Sequence, residues 1–211
     1  MIISVSHQKG GVGKSTISFN IAIELSKKYD DVTIIDLDVQ KTLTKANQIR
    51  INNDMSSLNI VEFDNDDKMI EFLEGVKNKQ IVIIDSGGFD SSLNRLAIIG
   101  ADIILTPVTD KTFDLLGLQK YEEILEELSI IQKETIISYV FLNNINPQIR
   151  KFDELSEFIT SSKHFKIMDS KLRTRVDLPN SSGAGQSIVE YNEKSKASQE
   201  MQAFINEVMS I

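Results

Sequence analysis

Residues 6–16 read SHQKGGVGKST. They follow an apolar run, MIISVS, and lead into a stretch with Ile17, Ile21 and Leu25 at helical spacing. A glycine-rich loop between a strand and a helix is the setting in which G-x-x-x-x-G-K-[ST] cradles phosphate. One end of the pattern does not fit. Counting back from Gly13-Lys14-Ser15, the first glycine should stand at Gln8, and an extra cation, Lys9, precedes Gly10 and Gly11. Backbone N–H groups must turn inward to hold phosphate oxygens, and side chains at Gly10, Gly11 and Gly13 would block that approach. The pattern assigns Lys14 to the β- and γ-phosphates and the Ser15 hydroxyl to Mg²⁺, with Thr16 opening the helix beside the α-phosphate.

Outward from this loop, apolar runs alternate with helical patterns. VTIID ends at Asp36, QIVIID at Asp85, ADIILTPV at Val108 and TIISYVFLN at Asn143; LNIVEF and a short run near HFKIM complete the expected strands. Helices are expected over 15–28, 67–77, 111–131, 149–161 and 194–209. Strands that are apolar throughout and separated by helices predict an α/β fold, a mostly parallel sheet covered on both faces. Such sheets bind ligands at the carboxyl ends of their strands, where Asp36, Asp85, Pro107 and Asn143 fall. The 211 residues show no linker, repeat or low-complexity segment, so one domain over 1–211 is expected.

Composition excludes several classes. Cysteine is absent, which removes disulfides, zinc thiolate sites and iron–sulfur clusters. Two histidines, His7 and His164, are too few for a dedicated histidine metal site. No apolar run reaches about 18 residues and no signal peptide is visible, so a cytoplasmic chain without stable membrane insertion is expected. The net charge of −8 argues against a surface that binds nucleic acid all over, though a local basic patch is compatible with it.

The run Lys9-Gly10-Gly11-Val12-Gly13-Lys14-Ser15 resembles the deviant Walker A motif of the ParA/MinD family of ATPases, and the resemblance extends over nearly the whole chain. It implies a P-loop NTPase fold and ATP with Mg²⁺ as cofactors. It also implies a sandwich homodimer in which Lys9 reaches the phosphates held by the other subunit. A cation supplied in trans stabilises the charge gathered on the γ-phosphate and ties the reaction to dimerisation. VTIIDLDVQKT resembles the family's D-x-D-x-Q strand end: Asp38 would orient the attacking water, Asp36 would lie near the metal shell, and Gln40 matches the glutamine. Val39 stands where a proline is usual. QIVIIDSGG resembles a Walker B strand whose Asp85 holds Mg²⁺ through water. Its Gly87-Gly88 replaces the family's Pro-Pro, which implies a more flexible turn. Pro107 and Asp114 match a strand end and the helix start that follows it, and Asn143, rather than Asn144, matches an adenine-reading corner.

The segment RTRVDLPNSSGAGQSIVEYNEKSKASQEM resembles the family's C-terminal region, which places Arg173 and Arg175 at DNA-contacting positions. Lys171, Arg150 and Lys151 would join them in a basic edge. The chain begins directly with its first strand, as short partition ATPases without an N-terminal helix-turn-helix do. The resemblance therefore implies a nucleoid-associated partition ATPase that binds DNA without sequence preference and works with a small centromere-binding partner. Two alternatives share the fold: a membrane-positioning ATPase like MinD, and a metabolic P-loop ligase. The last helix carries no lysine or arginine after Lys196, so core packing is expected of it rather than membrane attachment.

Overall fold

The computed structural model describes residues 1–77, 79–109, 112–148 and 152–211, with the backbone alone for 112–114. Arg150, Lys151 and the side chain of Asp114 therefore lie outside the described residues. The elements run β1 (Ile2–Val5), α1 (Lys14–Ser26), β2 (Val32–Asp36), α2 (Thr42–Asn52), β3 (Asn59–Val61), α3 (Asp66–Glu74), β4 (Ile81–Asp85) and α4 (Ser92–Ile99). They continue with β5 (Ile103–Val108), α5 (Thr112–Gln132), β6 (Ser138–Ile145), α6 (Asp153–Ser161), β7 (Phe165–Arg173), α7 (Asp177–Gly183), α8 (Ile188–Tyr191) and α9 (Lys196–Val208).

The strands form one sheet in the order β3-β2-β4-β1-β5-β6-β7, and every pairing is parallel. Parallel neighbours need crossovers, and the helices supply them while covering both faces. Alternation along the strands divides the core accordingly. Ile3, Val5, Ile34 and Ile83 pack under α1 and α9 with Ile17, Ile21, Met201 and Phe204. Val82 and Ile84 face Met69 of α3 and Ala97 of α4, while Ile104 and Val140 meet Leu118, Tyr121 and Leu125 of α5. As expected, α9 buries Ala197, Met201, Phe204, Ile205 and Val208 in the core.

The expected strands all form, and β7 extends past HFKIM to Arg173. Helices α2, α4, α7 and α8 were not legible in the sequence pattern. In α2 the buried face consists of Leu43, Ala46, Asn47 and Arg50, a correct helical spacing hidden by two polar members. Asn47 is satisfied by the backbone of Leu58, and Arg50 by a carboxylate far along the chain. β1 leads to β2 on one side of the sheet order while its neighbour β4 leads to β5 on the other, so the crossovers diverge and open a crevice above the carboxyl ends of β1 and β4.

Candidate active site

That crevice holds the glycine loop. Gly11 and Gly13 take left-handed φ values of 77° and 95°, which L side chains rarely adopt. Gly13 is also the N-cap of α1, and it offers no side chain to the helix's first N–H groups. No acidic residue stands in the first turn. The N-terminus of α1 thus presents unsatisfied donors and the positive end of its dipole, a built anion site. Neighbouring elements close on the loop. A Cβ at Gly13 would lie 2.4 Å from Asn143 Nδ2, and one at Gly88 would lie 3.2 Å from Gly10 Cα.

Lys14 is buried, and its Nζ donates to the Lys9 carbonyl at 3.0 Å. Burial lowers its pKa, while Asp85 and Asp38 nearby act in the opposite direction. The backbone N–H of Lys9 donates to His7 Nδ1 at 2.9 Å, and the His7 ring stacks on Tyr121. The side chain of Lys9 runs beside Gly117 of α5, where an added Cβ would lie 3.4 Å from Lys9 Cβ.

The carboxylates fall into two kinds. Asp85 is fully buried, and burial pushes its pKa up to about 7. Its Oδ1 accepts from Ser18 Oγ at 3.0 Å, Ser15 also hydrogen-bonds it, and Oδ2 has no partner. An orphaned carboxylate oxygen beside a serine hydroxyl suits a divalent cation that keeps most of its water and takes phosphate oxygens. Among the described residues no group of three or more His, Cys, Asp or Glu gathers to hold a metal. Asp36 is engaged differently. Its Oδ2 accepts from Thr44 Oγ1 at 2.6 Å and Thr44 N at 3.2 Å, and its Oδ1 from Asp38 N at 3.2 Å. It thereby anchors the start of α2, whose own N-cap, Lys41, makes no side-chain cap.

Two cavities flank the loop. One, of about 620 Å³, is lined by Gly10, Lys14, Ser15, Asp38, Gln40 and Phe89 among others. The second, of about 220 Å³, shares Gly11, Gly13 and Thr16 with the first and adds Asn143, Asn144, Arg175, Leu178 and Pro179. The first is lined by one cation, Lys14, with hydroxyls and a carboxylate; the second is bounded by amides, a guanidinium and apolar carbon. A ligand with a polyphosphate at one end and a flat, partly apolar group at the other matches the pair. Asn143 Nδ2 donates to the Val12 carbonyl at 2.7 Å, and its Oδ1 is without a partner.

The turn after Asp85 is pinned, contrary to the flexibility implied by its glycines. Gly87 N donates to Asn94 Oδ1 at 3.0 Å, Asn94 Nδ2 donates to the Phe89 carbonyl, and Ser86 Oγ donates to the Val5 carbonyl. Gly88 is small because it abuts Gly10. The basic segment is also rearranged. Lys171 is exposed on β7 and Arg173 is half-buried, with its N–H on Glu200 Oε2. Arg175 does not join them on an open edge: it pairs with Glu200 Oε1 at 2.6 Å and lines the second cavity.

Sequence reasoning missed Ser18, Asn94, Thr44 and Glu200. Ser18 could have been found, since it lies one turn beyond Lys14 and Ser15 on the face of α1 that meets β4. The others act across distances in sequence that no local pattern reports.

The sequence profile of the CobQ/CobB/MinD/ParA nucleotide binding domain matches residues 3–188. The chain belongs to this family. A ParA protein of Rhizobium radiobacter is 30% identical over 154 residues, 72% of this chain and 68% of that protein. A virulence plasmid ParA family protein, pGP5-D of Chlamydia psittaci, is 24% identical over 95% of this chain and 91% of its own. Among solved structures, MinD in the MinC:MinD cell division complex of Aquifex aeolicus superimposes with a TM-score of 0.74 at 18% identity, covering 100% of this chain and 96% of that one. A plasmid partition protein of Borrelia burgdorferi bound to AMPPNP gives 0.71 at 17% identity, covering 99% and 98%. These two structures share its fold. No helix among the described residues is long and apolar enough to cross a membrane.

Proposed function

We propose that this member of the ParA/MinD family is a DNA-partition ATPase that binds Mg²⁺-ATP, closes into a sandwich dimer and hydrolyses the γ-phosphate. The observation that carries the reading is the buried Lys14 beside the uncapped start of α1, with the orphaned oxygen of Asp85 behind it and Asp38 across the cavity. Lys14 and the loop N–H groups of residues 10–16 hold the phosphates. Ser15 and Asp85 would hold Mg²⁺, with Asp36 supporting from the neighbouring strand end; the ion would supply neutralisation of phosphate charge. Asp38 orients water for attack, and Lys9 of the second subunit stabilises charge developing on the transferred group. Gathering the trans cation only on dimerisation makes hydrolysis conditional on assembly.

In the ATP dimer, Lys171 and Arg173 of both copies would lie on one face and bind DNA without sequence preference, placing the protein on the nucleoid. Doubling the phosphates neutralised roughly doubles the dependence of log affinity on log salt. A small centromere-bound partner would then trigger hydrolysis and release. The names of the relatives, ParA and plasmid partition protein, support this reading over the metabolic one.

Hydrolysis by complementary variants tests it. Lys9→Ala and Asp38→Ala should each be inactive, and their mixture should regain activity, because one half-site then has both Asp38 and a trans Lys9. Wild-type hydrolysis by Lys9→Ala alone would overturn the trans assignment.

A further inference from the structure

We infer that Arg175 is a base-contacting specificity residue of the nucleotide pocket, clamped there by Glu200; the inference rests on the nucleotide reading above. Arg175 follows β7 and lines the smaller cavity together with Asn143, Leu178 and Pro179. Its guanidinium is held from behind. Nη2 donates to Glu200 Oε1 at 2.6 Å, and Glu200 is itself oriented because its Oε2 accepts from the Arg173 N–H at 3.0 Å. A guanidinium fixed on one edge keeps its planar face in one orientation, and such a face stacks on a flat ring more strongly than an ammonium does.

The polar atoms around the cavity point the same way. Asn143 Oδ1 and Arg175 Nε are both buried without partners, one acceptor and one donor among residues of the same wall. Asn143 cannot turn its amide around without giving up the Val12 carbonyl. Its oxygen therefore suits a base with an exocyclic amino group, and an oxo group placed against that atom would set acceptor against acceptor. Leu178 and Pro179 provide apolar carbon for the ring. Arg175 so placed serves the nucleotide rather than DNA, although it lies in a basic stretch of sequence.

The test compares ATP with ribose 5′-triphosphate, which lacks only the base, by calorimetric titration without DNA. Arg175→Ala should weaken ATP binding about five- to tenfold, the scale of a partly desolvated cation–π contact. Its affinity for ribose 5′-triphosphate should be that of the wild type. Arg175→Lys keeps the positive charge and can still meet Glu200, yet lacks the planar face; it should lose ATP affinity to a similar degree. Equal losses for both ligands, or unchanged ATP affinity in either variant, would overturn the inference. A wild type that binds neither ligand would instead overturn the nucleotide reading itself.

Discussion

Helices α1 and α9 begin in opposite ways. At α9 the Ser195 hydroxyl accepts from the Ser198 N–H, so the helix start is completed by its own chain. Asn65 at α3 and Ser91 at α4 do the same. At α1 the cap is a left-handed glycine with no side chain to offer. The buried charges repeat the contrast. Arg50 and Glu190 meet through two contacts of 2.6 and 2.8 Å, and Arg50 also donates to the Ser56 and Gly185 carbonyls. Asp85 is buried deeper and keeps an unpartnered oxygen. One set of features is closed and builds the fold; the other is open, with donors and an acceptor available to a ligand. Damage to the closed set should appear in stability, and damage to the open set in binding.

Arg50→Ala should show the largest stability effect. It leaves Glu190 half-buried without its partner and cuts the tie between α2 and α8, and removing one member of such a pair costs about 3–5 kcal/mol. Urea denaturation would measure it; a loss under about 1 kcal/mol would make the clamp ornamental.

Asp85→Asn should move stability the other way. Burial raises the folded-state pKa from 3.8 to about 7, so the folded chain keeps a proton that the unfolded chain releases between those values. Stability from this group is present at low pH, declines as pH rises through that window, and is lost above about 7. The advantage of the variant over wild type, both without nucleotide, should therefore grow from pH 4 to 7 and then level off, by at most about 4 kcal/mol. Melting curves at several pH values would read this, and a pH-independent difference would contradict the burial argument. The same variant should lose Mg²⁺-dependent ATP binding.

Ser195→Ala should cost about 1 kcal/mol, the usual value of a hydroxyl cap, with ATP affinity untouched. Ser18→Ala should be the mildest change. It removes one hydrogen bond to Asp85 and should raise the Mg²⁺ concentration for half-maximal ATP binding a few-fold, about 1 kcal/mol at most. A shift in melting temperature without a shift in Mg²⁺ dependence would assign Ser18 to packing alone.

The open set was the more legible in sequence. Gly13, Lys14 and Ser15 are neighbours in sequence, and Asp85 ends an apolar strand, so their placement at the start of α1 and the end of β4 could be read locally. The strands were legible because burial on both faces makes them apolar throughout. The closed set was largely hidden. Arg50 finds Glu190 140 residues away, and it sits on the buried face of α2, a helix absent from the expected pattern. Arg175 stands among basic residues in sequence, and in space it meets Glu200 and lines a cavity, contacts that no local pattern reports. Gly88 looked like looseness and turned out to be a close approach to Gly10.

The central claim is that the open end of α1 is completed by the triphosphate of ATP. Calorimetric titration of Mg²⁺-ATP into wild type and Lys14→Ala, with urea denaturation of both without nucleotide, tests it most directly. Saturable one-to-one binding by the wild type is expected, with an affinity loss of at least about a hundredfold in the variant, as for a lost pair of charge-assisted contacts. The stability of the variant should be equal or higher, since a desolvated ammonium has been removed. Wild-type ATP affinity in Lys14→Ala, or no ATP binding by the wild type, would contradict the account.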